Sequence, residues 1–397
     1  MTRPSILLVC TLLLGPGCCK KKQSPRQPAA PGPSAFREVR ELPDPFRLAS
    51  GGRVRSRADW KRRREEIRQT LLTHEYGHLP PAPARVAARE ISREEALDGA
   101  AIRTRVHLTV EAGRRQIHFH LGLTLPRATE RPSPAIVHID HRGLFKVPAA
   151  QVKTIVARGY ILADYDPSFL DPDQPGTVGA AQAAFPDHDW ATLAVWAWGA
   201  MRAVDHLARQ PSVDARRLVV TGHSRSGKAA LLAGALDERF AAVVPQGSGC
   251  GGMAAYRYAT GERLAQITRS FPHWFVPGLR RFVGKERRLP FDQHLVAALV
   301  APRALLSIDA RGDRWASPPA TQQTFLAARE VYRFLGAGDR LGIHVRPGRH
   351  ELAADDWLAL LAFADGVFGR PQSGSSFNQL PFPGEGPRFS WTAPARR

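Results

Sequence analysis

Cysteine is scarce in this chain: its 397 residues hold four. Cys10, Cys18 and Cys19 fall in or beside an N-terminal apolar stretch, which leaves Cys250 alone in the body. An internal disulfide framework is therefore excluded, and the fold must be held by its core. Long apolar runs are missing too. Past the N-terminus none reaches the roughly 20 residues that a membrane-spanning helix needs. No internal repeat is apparent, which sets aside solenoids and propellers. Acidic residues are outnumbered, 36 against 56 Lys and Arg, for a formal net charge of +20. One reading is attraction to polyanions such as nucleic acid or acidic polysaccharide. The other, solvated arginine scattered over the surface, is preferred because the positive residues run from Arg37 to Arg397 without one dominant block. No nucleic-acid partner is expected.

Apolar residues make up 43% of the chain and charged ones 23%, enough for one large core or two modest ones. Arg3 precedes an almost unbroken apolar run from Ile6 to Leu14, followed by Gly15-Pro16-Gly17-Cys18. Residues 1–18 thus read as an export signal, too short to span a bilayer and ended by small residues. A cysteine at that point indicates bacterial lipoprotein processing with Cys18 lipidated. Pro16 is atypical there, so ordinary cleavage stays open. The expected location is outside the cytoplasm: periplasmic, anchored to the outer membrane, or secreted, with membrane contact only through a lipid on Cys18. Residues 19–35 form a Pro/Ala-rich linker. A catalytic domain is expected over 36–370, and a Pro-, Gly- and Ser-rich surface tail over 371–397. A monomer is expected.

Within the body, Trp60 to Leu72 predicts a charged helix, and Ala101 to Leu125 alternates as a pair of strands. Strand and helix then take turns. Strands are predicted at Ala135–Ile139, Tyr160–Ala163, Arg217–Thr221, Ala241–Val244, Ala304–Ile308 and Ile343–Arg346, with helices from Trp190 to Ala208 and after Arg225. Short continuous apolar strands alternating with helices predict an α/β fold, a mostly parallel sheet covered on both faces.

The chemistry concentrates at Leu218-Val219-Val220-Thr221-Gly222-His223-Ser224-Arg225-Ser226-Gly227-Lys228. An apolar strand enters a tight turn and a helix follows at once, the setting that exposes a nucleophilic serine above the edge of an α/β-hydrolase sheet. Gly222 and Ser226 supply the small neighbours such a turn requires; the usual second glycine is replaced by Ser226, with Gly227 next. A serine hydroxyl needs a base to take its proton. In this fold class the acid and then the histidine follow later in the chain. The strand ending at Ile308 leads to Asp309 and Asp313, and the strand ending at Arg346 leads to His350. Nucleophile, acid and base then all fall just past strand carboxyl ends, where open parallel sheets place their sites. His350 is taken as the base and Asp313 as the acid, with Asp309 as its competitor.

Two other motifs compete. Gly222 to Ala229 reads as a phosphate-binding loop, but Ala229 stands where a serine or threonine must reach magnesium. His74-Glu75-Tyr76-Gly77-His78 satisfies a zinc-protease pattern, yet that chemistry needs a continuing helix. Gly77 and Pro80-Pro81 end it at the motif. No metal is therefore expected.

Several stretches together resemble the bacterial glucuronoyl esterases: Gly222 to Lys228, Ser248 to Gly252, Ser270 to Phe275, Leu289 to His294, Ala301-Pro302-Arg303, Leu42 to Phe46, and Tyr76-Gly77. The resemblance extends from about residue 40 to 368. It implies an α/β-hydrolase fold without metal or organic cofactor, acting on the ester between lignin alcohols and (4-O-methyl-)glucuronic acid side chains of xylan. It also implies that Arg225 holds the oxyanion through its backbone N–H and guanidinium, and that Lys228, Glu262 and Trp315 contact the sugar. Lys228 and Glu262 as surface charges, and Trp315 as a core aromatic, are the plainer readings. Many relatives carry the triad carboxylate where this chain has Gly247; a bacterial subset keeps it in the later loop, as Asp313 would. An acetyl or other carbohydrate esterase of the same fold, or a non-catalytic carbohydrate-binding relative, are the alternatives.

Overall fold

Hydrophobic periodicity sets the layers. The computed structural model describes residues 30–113, 115–127, 132–371 and 376–395, so the expected export signal, Cys18 and most of the expected linker lie outside the described residues. The strands are β1 (Val86–Ala96), β2 (Ala101–Ala112), β3 (Arg115–Pro126), β4 (Ser133–Ile139), β5 (Ile161–Tyr165), β6 (Val213–His223), β7 (Phe240–Gln246), β8 (Ala304–Ala310) and β9 (Leu341–Arg346). The helices are α1 (Arg57–Leu71), α2 (Ala149–Ala157), α3 (Ala180–Ala184), α4 (Thr192–Leu207), α5 (Arg225–Leu236), α6 (Leu264–Ser270), α7 (Gln293–Val300), α8 (Pro318–Leu335) and α9 (Ala354–Val367). Among the described residues the strands form one nine-stranded sheet in the order β1-β2-β3-β5-β4-β6-β7-β8-β9. The first three run antiparallel, and from β5 onward every neighbouring pair is parallel.

Strands β4, β5 and β8 are buried along their whole length, as expected where helices cover both faces. Successive residues serve opposite layers. Val137, Leu218, Val220, Val243 and Leu305 join the core that includes α4, α5, α7 and α8. Ile136, Leu162, Val219, Val244 and Leu306 pack with α2 and α9 on the other side. The expected α/β architecture is thus present, and its topology is that of an α/β-hydrolase.

Two features depart from the sequence reading. Strand β1 is almost wholly exposed along an edge of the sheet, so no burial pattern announces it. The segment after Arg370, expected as a surface tail, adds to the core. Trp391 is buried beside Phe389 and Phe46, and its indole N–H donates to Leu42 O at 2.7 Å. Gln322 and Gln323 of α8 donate to the carbonyls of Phe382 and Gly386, fastening the segment along the helix.

The zinc-protease pattern breaks up as its helix ends. After α1 the chain makes one wide turn over Leu72–Tyr76, and Gly77 turns away at φ +79°. Glu75 is fully buried, accepting from Tyr256 Oη at 2.7 Å and Gln293 Nε2 at 2.8 Å. The His74 ring sits edge-on to Phe36, whereas His78 Nδ1 lies 3.0 Å from Asp189. The two histidines therefore serve separate neighbourhoods.

Candidate active site

Strand β6 delivers Ser224 to the carboxyl end of the sheet, and α5 begins one residue later. Ser224 itself adopts φ +56°, ψ −120°, a backbone conformation that L-residues rarely take and that clusters at functional turns. The turn closes tightly. A Cβ on Gly222 would lie 2.6 Å from Ser226 O, and one on Gly227 2.8 Å from Gln246 O. Glycine is thus required at 222 and 227. The displaced second glycine of the motif does the steric work one position later than usual. Ser226 is buried, and its Oγ lies 2.9 Å from His141 Nδ1, joining the loop after β4 to the elbow.

The loops after β8 and β9 bring the partners. His350 Nε2 lies 2.9 Å from Ser224 Oγ, and His350 Nδ1 lies 2.5 Å from Asp313 Oδ2. Asp313 is buried and also accepts from Ala316 N–H at 3.0 Å. Burial alone would raise its pKa. The hydrogen bonds from His350 and Ala316 outweigh burial and hold the carboxyl below its ordinary range. The two loops are tied to each other by Gly312 N–H to Gly348 O at 2.9 Å. Arg346 braces the histidine loop through Asp356 at 2.7 Å and Glu351 at 2.9 Å. Asp309 is fully enclosed, accepts from Ser307 Oγ at 3.1 Å, and is pushed up to about 8 by burial. It stands apart from the imidazole, so the geometry favours Asp313 over its competitor.

At Gly247 the backbone is left-handed, φ +50°, and a Cβ there would meet His223 Nε2 at 3.1 Å and His350 Cε1 at 3.7 Å. The His223 ring therefore stands where a side chain at 247 would project. Burial, then the neighbouring His350, push His223 down to about 4, so it is neutral at ordinary pH.

These groups open on a cleft of about 650 Å³ lined by Ser224, Arg225, Lys228, Glu262, Trp315 and His350 among others, a size suited to a small-molecule portion of a substrate. Lys228 and Glu262 are each 4% exposed and lie 3.5 Å apart, and Lys228 Nζ also donates to Ser248 O at 2.6 Å. They are not surface charges, and the lysine is already engaged by protein oxygens rather than free to hold a phosphate. Trp315 is 50% exposed at the rim rather than in the core, and its carbonyl accepts from Glu262 N–H. All seven predicted site residues therefore line the cleft or, for Asp313, stand directly behind its histidine. Sequence reading missed Asp173, from the loop after β5, whose carboxylate meets the Arg225 guanidinium. A lone loop aspartate some fifty residues upstream of the serine carries no local signature.

A strained serine between strand and helix, with aspartate and then histidine arriving later in the chain, defines an α/β-hydrolase equipped for acyl transfer. The comparisons make the class specific. Residues 108–336, more than half the chain, match the family described as "Glucuronyl esterase, fungi". A 4-O-methyl-glucuronoyl methylesterase of Podospora anserina is 33% identical, over 86% of this chain and 68% of its own length. A carbohydrate esterase family 15 glucuronoyl esterase from Caldicellulosiruptor kristjansonii superposes with a TM-score of 0.80 at 30% identity, covering 90% of this chain and 98% of that one. A mutant glucuronoyl esterase from Sporotrichum thermophile, solved with methyl 4-O-methyl-β-D-glucopyranuronate, has a TM-score of 0.70 at 28% identity, covering 85% and 90%. This chain belongs to the glucuronoyl esterase family of carboxylic-ester hydrolases.

Proposed function

We propose that this chain cleaves esters of (4-O-methyl-)glucuronic acid, such as those joining glucuronoxylan to lignin alcohols, with Ser224 as nucleophile. The observation that carries the reading is the unbroken run Ser224 Oγ–His350 Nε2, His350 Nδ1–Asp313 at the mouth of the cleft. Ser224 Oγ attacks the uronoyl carbonyl carbon while His350 Nε2 takes its proton, and Asp313 stabilises the imidazolium. The oxyanion faces the Arg225 backbone N–H and guanidinium; each such donor typically contributes about 2.7–4 kcal/mol to lowering the barrier. Collapse expels the alcohol, protonated by His350. Water, deprotonated by the same imidazole, then releases the uronate from the serine. Lys228, Glu262 and Trp315 stand ready for the sugar: a charged pair to bond hydroxyls and an open indole face for the ring.

A panel of methyl glucuronate, acetylated xylan and feruloyl esters tests the substrate. Turnover of the uronate ester without release of acetate is expected. Acetate release without uronate turnover would make the chain an acetyl esterase, and binding of xylan without hydrolysis of any ester would make it a carbohydrate-binding relative. We further propose export through residues 1–18 with lipidation of Cys18, supported by the charged start, apolar run and cysteine after small residues. The intact mass of the mature protein reads this directly: a diacylated or triacylated Cys18 is expected, and a plain cleaved terminus contradicts the anchor.

A further inference from the structure

The backbone of Arg225 is fixed by the elbow, but its side chain is long and has many rotamers. Three groups outside the triad restrict it. The rings of Phe271 and Trp274, stacked on each other with centroids 3.8 Å apart, lie under the guanidinium at 5.5 and 5.4 Å. Its Nη1 donates to Asp173 Oδ2. The other oxygen of Asp173 is not idle: Oδ1 accepts from Trp274 Nε1 at 2.7 Å and His273 Nε2 at 2.9 Å. The loop bearing Asp173 is itself secured, because Asp171 accepts from Gly179 N–H through Oδ1 and from Trp196 Nε1 through its carbonyl, both at 2.8 Å. One carboxylate thus links the residue after the nucleophile to the aromatic wall beyond α6.

Resting on the ester hydrolysis proposed above, we infer that Asp173 is a positioning residue that aims the Arg225 guanidinium at the developing oxyanion. A carboxylate can accept from all three donors at once, whereas any neutral replacement must fail at least one. Burial alone would raise the Asp173 pKa; the His273 and Trp274 hydrogen bonds and the Arg225 charge outweigh burial and keep it well below the ordinary carboxylate range. The negative charge also tempers the field that Arg225 puts into the cleft. Asp173 therefore helps the reaction only if placement outweighs that tempering, and the two effects predict opposite results on neutralisation.

The test is a double-mutant cycle of Asp173→Asn with Arg225→Ala, run on methyl glucuronate and on an aryl acetate. In Asp173→Asn the amide oxygen still accepts from His273 and Trp274, while the amide nitrogen faces Arg225, donor against donor. Misplacing one catalytic group by an ångström costs about 100-fold; a loss of about 10- to 100-fold in kcat is expected, with KM little changed because the contact tightens only in the transition state. In the Arg225→Ala background the same change should cost no more than about twofold. Asp173→Glu, which keeps the charge, should recover part of the rate. Wild-type or faster turnover by Asp173→Asn overturns the inference. So does an equal loss in both backgrounds, which is what a general loss of folding would give. Loss of the uronate activity alone would instead indict the proposed substrate, because the aryl ester still reads the clamp.

Discussion

Asp313 and Asp309 sit four residues apart on the loop and strand end at β8, and environment alone separates them. Asp313 lies 2.5 Å from His350 Nδ1; Asp309 is enclosed and accepts from Ser307 instead. Asp313→Asn should therefore lower kcat by about 10⁴-fold, as removal of a triad carboxylate does elsewhere. Asp309→Asn should leave kcat near wild type. Steady-state rates on methyl glucuronate check both, and the reverse pattern would move the acid to 309. At this scale the sequence was most informative where chain order constrained it: serine, then acid, then histidine, each just past a strand. It was silent on Asp173, because that residue reaches the site through tertiary structure and no spacing rule connects it to Ser224.

At the scale of elements, the strongest apolar strands were legible because both of their faces are buried, and their ends followed from the turn residues after them. Strand β1 was not. Its sequence, Arg89-Glu90-Ile91-Ser92-Arg93-Glu94-Glu95, carries charge on both faces because it lies at an edge in solvent. The helix-ending turn after α1 also hid its content, for a zinc-like motif proved to be a buried carboxyl held by Tyr256 and Gln293. Burial there pushes Glu75 up to about 8. The sign follows: between about 4.5 and 8 the unfolded chain releases a proton that the folded chain keeps, so stability falls as pH rises through that window. Below it the loss disappears. Denaturant titrations of wild type and Glu75→Gln across this range isolate the effect as the difference between the two proteins. The comparison is needed because His141, His223 and His294, held down to about 4 by burial, add stability as pH rises in the lower part of the same window. Glu75→Gln, which cannot ionise, should flatten the slope by about 1.4 kcal/mol per pH unit. An unchanged slope would mean that Glu75 is ionised in the folded protein.

Across the whole molecule, the site exists because a parallel sheet gathers loops from distant sequence at one edge. β6 supplies the proposed nucleophile, β8 its acid, β9 its base and β5 the carboxylate on Arg225. Alternation of apolar strands with helices pointed to the layered class, but composition placed the last residues at the surface, since their Pro, Gly and Ser content masks Trp391 and the carbonyls that α8 captures. The central claim is that the hydroxyl at 224, activated by His350, opens a uronate ester. The most direct measurement is kcat/KM for methyl glucuronate in wild type and Ser224→Ala, with circular dichroism to verify an intact fold. The account predicts turnover by the wild type and a loss on the order of 10⁶-fold in the variant; comparable turnover by a folded Ser224→Ala would contradict it.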